Sequence, residues 1–302
     1  MTPAEQTRTI ATGQGFIAAL DQSGGSTPKA LKGYGIAADA WSSEAEMYAL
    51  IHAMRARIIA APAFASGKVI GAILFERTMD STVNNQPVPA ALDAIGVVPF
   101  LKIDKGLEDI ADGVQVMKPI PGLSALLARA RGLGVFGTKE RSIIHDANPV
   151  GIAAVVRQQF ALAQDVLAAG LMPIIEPEVN ITSPTRGEAD VLLVSALLEA
   201  LDALPYGVKV MLKLSLPSVP GAYAALVAHP AVLRVVALSG GFHRAEACAE
   251  LARNPGVIAS FSRALLEDLR VTMTDAEFNA ALASAIDEIH AASTIKHASV
   301  PA

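Results

Sequence analysis

The chain has 302 residues, of which 52% are hydrophobic and 18% charged, with a formal net charge of −5 at neutral pH. That is enough apolar material for one large domain or two ordinary ones, and the acidic balance argues against broad nucleic-acid binding. No apolar run reaches the ~18 residues that a membrane span needs; charges such as Lys68, Glu199 and Asp202 interrupt the candidates.

The N-terminal MTPAEQTRTIATGQG has no apolar signal-peptide core, and the single cysteine, Cys248, can form no internal disulfide. Both fit a reducing cytoplasm. Cys248 lies in the helical run HRAEACAEL with no neighbouring base, and reads as a packed, inert thiol. The six histidines show no close ligand pairing, so no metal is expected; no cofactor is expected either.

Taken in chain order, eight β-type segments recur, each bounded by turn residues. They are FIAALD from Phe16, IGAILFE from Ile70, VVPFLKID from Val97, GVFGTKERS from Gly134, LMPIIEPE from Leu171, VKVMLKLS from Val208, VLRVVALSGG from Val232 and VIASFSR from Val257. The first connection is long enough for two helices; later starts fall mostly 24 to 37 residues apart. Strand alternating with helix at that spacing predicts parallel βα units, and eight of them predict a closed (β/α)8 TIM barrel of the α/β class. Ser43-Glu44-Ala45-Glu46 reads as a capping box, and Thr274-Asp275-Ala276-Glu277 opens the last helix. Residues 1–302 are expected to form a single domain, with a short N-terminal lead-in and a loosely held tail after Ser293.

Residues two apart on a strand share a face. Read this way, most segments turn polar on one face near their C-terminal end: Asp21/Ser23, Lys102/Asp104, Lys139/Arg141, Glu176/Glu178, Lys213/Ser215 and Ser260/Ser262, with Glu76 from the second segment. Barrel active sites sit at that mouth. Single polar residues there could simply end their strands in solvent; the recurrence over the whole set predicts a site.

Lys213 lies between Met211, Leu212 and Leu214, where an unpaired ammonium is costly to bury. One resolution is a plain salt bridge to Glu176 or Glu178. The other is a neutral amine, favoured by the neighbouring cation Lys139, acting as a nucleophile toward carbonyls. Glu176 is then placed to shuttle protons, and Asp21 is a candidate general base. The loops after the last two strands carry Ser239, Gly240 and Gly241, then Ser260, Ser262 and Arg263, a composition suited to phosphate. Ser23, Ser26 and Lys102 could form a second anion site. An imine-forming lysine between two such sites describes a linear sugar bisphosphate.

The motifs LDQSGGS, ILFERTMD, LKIDKG, GTKERS, PIIEPEVN, MLKLS, LSGG and SFSRAL, taken in order, resemble the class I fructose-bisphosphate aldolase family, especially its short bacterial branch. The resemblance covers nearly the whole chain. It implies a metal-independent carbon–carbon lyase of glycolysis and gluconeogenesis, cytoplasmic, acting on a phosphosugar without nucleic-acid or membrane partners; a homo-oligomer is compatible with the sequence and not fixed by it. It further implies Lys213 as Schiff-base lysine, Asp21 as cleavage base, Glu176 as dehydration acid/base, and Lys139 and Arg141 as the K-x-R pair. Glu178 matches the second glutamate of E-P-E. Ser239, Gly240, Gly241, Ser262 and Arg263 match phosphate ligands at one end, and Ser23, Ser26 and Lys102 at the other. The sequence departs from the vertebrate-type enzymes in having Phe261-Ser262 where they have Tyr-Gly, and in having no tyrosine after Tyr223. A different phosphosugar, or a non-catalytic binding barrel, are the rival readings.

Overall fold

Hydrogen bonding joins the eight main strands in chain order, all parallel. In this computed structural model, which describes residues 1–297, they are β1 Phe16–Leu20, β2 Val69–Leu74, β3 Val98–Lys102, β4 Gly137–Ile144, β5 Met172–Val179, β6 Val210–Ser215, β7 Val232–Leu238 and β8 Val257–Ala259. The Ala19 amide donates to the Phe261 carbonyl at 3.0 Å and brings the last strand back to the first. The eight segments read from sequence are the eight barrel strands. Only short apolar runs rich in Val, Ile and Leu can be buried on both faces in this way.

Helices fill the connections: α1 Pro3–Thr12, α2 Ser26–Gly33, α3 Glu44–Ala60, α4 Glu76–Met79, α5 Val88–Ala94, α6 Leu123–Gly132, α7 Pro149–Ala168, α8 Arg186–Asp202, α9 Ala224–Ala228, α10 Arg244–Ala252, α11 Arg263–Leu266 and α12 Asp275–Thr294. Among the described residues no helix is long and apolar enough to cross a membrane. The last helix opens at Thr274 as expected, and there a full capping box forms, with Thr274 Oγ1 accepting from the Glu277 amide and the Glu277 carboxylate accepting from the Thr274 amide. The box expected at Ser43 is only half made. Ser43 Oγ accepts from the Glu46 amide, but the Glu46 carboxylate reaches one residue further back to the Ser42 amide at 2.7 Å and to its hydroxyl.

Inside the barrel the side chains form an apolar layer low down: Ile17, Ile73, Val98, Phe100, Ile174, Met211, Val236 and Ile258. Phe100 meets Phe136 edge to face at 5.5 Å. A Cβ on Gly137 would stand 2.2 Å from the Met172 carbonyl and 3.0 Å from the Phe100 ring, so glycine lets β4 pack tightly here. The N-terminal lead-in proves to be a capped helix, with Thr2 and Glu5 forming a capping box. Its Ile10 belongs to the interior apolar layer and is fully buried. Arg234 of β7 fixes the other end of α1, Nη1 donating to the Ala11 carbonyl at 2.7 Å. Strands β4 and β5 run eight residues each, and the end of β4 pairs antiparallel with Val114–Gln115 from the loop after β3.

The tail expected to be loose spans residues 294–302. Of these, Ile295–His297 are held. Lys296 Nζ donates to the carbonyls of Leu251, Val257 and Ala292 at 3.1, 2.7 and 2.7 Å, and the His297 amide donates to Ala252 at 2.9 Å. Val257 opens β8, so this anchor sits at the N-terminal end of the barrel. Residues 298–302 lie outside the described residues.

Candidate active site

Above the apolar layer, the next inward positions on β3 to β6 are charged: Lys102, Lys139, Glu176 and Lys213. Lys139 of β4 is the centre: its Nζ lies 2.7 Å from Asp21 Oδ2, 3.0 Å from Glu176 Oε2 and 3.9 Å from Asp104 Oδ2. Lys213 of β6 lies 3.0 Å from the other oxygen of Glu176. Glu176 therefore bridges the two lysines. Lys102 closes the group, its Nζ 2.6 Å from Asp104 Oδ1. Three lysine amines thus face three carboxyl groups in a pocket where the Lys139, Lys213 and Glu176 side chains are 3%, 5% and 4% exposed. Buried charges on this scale persist only when paired.

Burial alone would raise the Asp21 pKa, but the ammonium groups of Lys139 and Lys213 hold it well below the usual carboxylate range. Lys139 is the mirror case: burial pulls its pKa down, while Asp21, Glu176 and Asp104 together push it above the usual lysine range. It stays an ammonium. Lys102 is shifted down, because burial and Lys139 outweigh Asp104. Nearer the rim, Arg141 Nη1 lies 3.1 Å from Glu178 Oε2; burial and the Glu176 charge raise the Glu178 pKa despite Arg141. Between Lys139 and Arg141, on the outer face of β4, Glu140 is fully buried, and burial followed by the Asp104 charge pushes its carboxyl well above the usual range.

The alternating pattern thus brings together Asp21, Lys102, Asp104, Lys139, Glu176 and Lys213. The salt bridge foreseen as the plainer account of Lys213 is formed, to Glu176. Glu76 does not join the site. The inward phase of β2 continues from Ile73 to Phe75, and Glu76 opens α4, where it pairs with Lys105 at 2.6 Å and with Arg129. After β7, Gly240 and Gly241 have φ of 61° and 132°, and a Cβ on Gly241 would stand 3.7 Å from Arg263 Nη2. The two loops therefore meet, with the Arg263 side chain exposed beside them and Ser239 buried. Ser23 and Ser26 also meet: Ser26 Oγ accepts from the Ser23 amide at 2.9 Å and donates to the Ser23 carbonyl at 2.8 Å. Lys102, grouped with them from sequence, is turned to Asp104 instead.

Two members of the environment escaped the sequence reading. Asp104 appeared only as one of a polar pair, with no role assigned. Arg55 sits fully buried on α3 among Ile51, Met54 and Ile58. The signal was present: position 55 falls one helical turn after Ile51, on the buried face.

Paired amines and carboxylates buried at the mouth of a parallel barrel define a class, that of barrel enzymes acting on carbonyl carbon. The comparisons make it specific. The family model for fructose-bisphosphate aldolase class-I matches residues 4–197. A fructose-bisphosphate aldolase class 1 from Porphyromonas gingivalis is 53% identical over 96% of this chain and 98% of its own length. One from Synechocystis is 52% identical over 96% and 97%. In fold, the chain is similar to the fructose-bisphosphate aldolase of Plasmodium falciparum, solved in complex with TRAP and a small-molecule inhibitor. That match has a TM-score of 0.79 at 20% identity, covering 98% of this chain and 96% of that one. The chain belongs to the class I fructose-bisphosphate aldolase family, whose members are carbon–carbon lyases.

Proposed function

We propose that residues 1–302 act as one (β/α)8 domain that cleaves fructose 1,6-bisphosphate reversibly to dihydroxyacetone phosphate and glyceraldehyde 3-phosphate, in the cytoplasm, with Lys213 as nucleophile. The observation that carries the reading is the Glu176 carboxylate lying 3.0 Å from both Lys139 and Lys213. Glu176 takes a proton from Lys213, freeing the amine to attack the C2 ketone of the open-chain sugar. The protonated Glu176 then delivers that proton to the departing hydroxyl, so water leaves and the iminium forms. Lys139 steadies the carboxylate between the two transfers.

Asp21, kept ionised by the lysines, next removes the proton of the C4 hydroxyl. The C3–C4 electron pair moves toward the iminium nitrogen, and glyceraldehyde 3-phosphate is released. Protonation of the enamine at C3 and hydrolysis of the imine return Lys213 and release dihydroxyacetone phosphate. One phosphate rests against Ser239, Gly240, Gly241, Ser262 and Arg263. The other rests against Ser23, Ser26 and Lys102, which requires Lys102 to swing from Asp104. Arg141 and Glu178 line the substrate's path between them.

Arg263→Ala should raise KM for fructose 1,6-bisphosphate about tenfold or more, because a charge-assisted bond to a phosphate present throughout the reaction is lost. Its kcat should stay within about threefold. Steady-state assay of the purified variant reads both, and an unchanged KM would remove the phosphate assignment.

Lys296 and His297 lie at the barrel's other end and take no part in this chemistry. Truncation after Ser293 should leave kcat within about threefold, a change of under roughly 0.7 kcal/mol in barrier. It should nevertheless cost about 2 kcal/mol of stability as the Lys296 anchor is lost, lowering Tm by about 3 °C. Calorimetry alongside the cleavage assay separates the two effects.

A further inference from the structure

Arg55 plays no part in the chemistry above, yet it is bonded to Gln22, the residue that follows the cleavage base. It is fully buried, and its partners are neutral: Nη1 donates to Thr78 Oγ1 at 2.7 Å, while Nη2 donates to the Gln22 carbonyl and, at 3.1 Å, to Gln22 Oε1. Burial lowers its pKa to about 10, with Asp21 working in the opposite direction, so it remains a cation at neutral pH. Gln22 follows Asp21 in the chain. Its Nε2 donates to Ser262 Oγ at 2.6 Å and to the Ala19 carbonyl at 3.2 Å.

These bonds have a direction. A guanidinium can only donate, so its partner on the Gln22 side chain must be the carbonyl oxygen. That choice turns the amide nitrogen toward Ser262 and makes the serine oxygen an acceptor. The one hydroxyl proton of Ser262 is then left for another partner. Ser262 stands at the N-cap of α11, yet its side chain does not cap that helix, and among the described residues its hydroxyl donates to nothing. It is partly exposed, directly before Arg263.

We infer that Arg55 and Gln22 form a one-way hydrogen-bond relay that sets the Ser262 hydroxyl as a donor toward the phosphate held at Arg263 and Gly241. Arg55 and Gln22 are positioning residues: neither touches substrate, and both act through Ser262. The inference rests on the reading of the β7 and β8 loops as a phosphate site.

A double-mutant cycle tests it. Ser262→Ala removes the donor and should raise KM for fructose 1,6-bisphosphate roughly tenfold, as for a hydrogen bond to a charged group, with kcat changed far less. Gln22→Glu, which can only accept, should draw the Ser262 proton inward and raise KM by a similar factor. Since both act on one hydroxyl, the double variant should be no worse than Ser262→Ala alone. A KM in the double variant equal to the product of the single effects would mean that the new carboxylate merely repels substrate, and would overturn the relay. So would a Gln22→Glu variant with wild-type KM. A silent Ser262→Ala variant also overturns the relay, and Arg263→Ala then decides the rest: a raised KM there leaves the phosphate site standing, whereas a silent Arg263→Ala removes that reading too.

Discussion

Lys213→Met should lower kcat by about 10⁵-fold or more while the barrel still folds, since loss of the nucleophile in covalent catalysis removes most of the rate. The native environment makes methionine a close substitute in shape. Leu212 and Leu214 flank position 213 on β6, and all three are buried. Glu176 loses one partner but keeps Lys139 at 3.0 Å, so its charge is not stranded. The stability cost should therefore be well below the ~3–5 kcal/mol of breaking a buried pair outright. Circular dichroism and thermal melting check the fold, and a coupled assay for dihydroxyacetone phosphate checks the rate. Residual activity above one part in a hundred, in a preparation free of wild type, would mean that another amine attacks the ketone.

The second large effect separates the two carboxylates. Asp21→Asn and Glu176→Gln should each lower kcat by roughly 10²–10⁴, the range for general acid–base groups, with KM little altered. They should fail at different steps. With Asp21→Asn the imine still forms and C3–C4 cleavage stalls, so borohydride added with fructose 1,6-bisphosphate should trap the whole sugar on the enzyme. Glu176→Gln blocks imine formation itself, and trapping should be slow. Equal trapping rates in the two variants would contradict the division of roles.

The same pairings set the pH dependence of stability. The Asp21 pKa is lower in the folded state than in the unfolded one, so its contribution is present above about pH 4 and lost as pH falls through the folded value. The Lys139 pKa is raised, so its contribution is complete below about pH 10 and lost as pH rises through the folded value. Between about pH 5 and about pH 9 the stability difference between wild type and Lys139→Met should therefore stay level. A marked slope across that interval, followed by denaturant titration, would show that the cluster is differently protonated.

Much of this fold could be read from sequence because barrel strands carry two superposed signals. Short β-branched and leucine-rich runs mark each strand, and period-two alternation marks which end faces the site. Alternation misleads where its phase is lost. Glu76 lies one residue beyond the inward phase of Ile73 and Phe75, and it turns to Lys105 and Arg129 outside. The lead-in gives little helical signal because six of the ten residues of α1 are polar, although Thr2 and Glu5 spell its cap.

Within the site, alternation supplied the members but not the partners. Which carboxylates Lys139 meets depends on the strand stagger: Lys139 pairs with Lys102 and Ile174 in register, while its ammonium reaches Asp21 across the barrel. Arg55 illustrates the opposite limit. A cation on a buried helical face signals that something polar lies beneath, but only the three-dimensional arrangement reveals Gln22 and Thr78.

The central claim is that Lys213 forms the imine, and one measurement addresses it directly. The protein is incubated with dihydroxyacetone phosphate, reduced with borohydride, digested and mapped by mass spectrometry. The account predicts irreversible loss of activity in step with one adduct of reduced dihydroxyacetone phosphate, on the peptide containing Lys213 and absent in Lys213→Met. An adduct on Lys139 or Lys102 instead, or full activity after reduction, would contradict it.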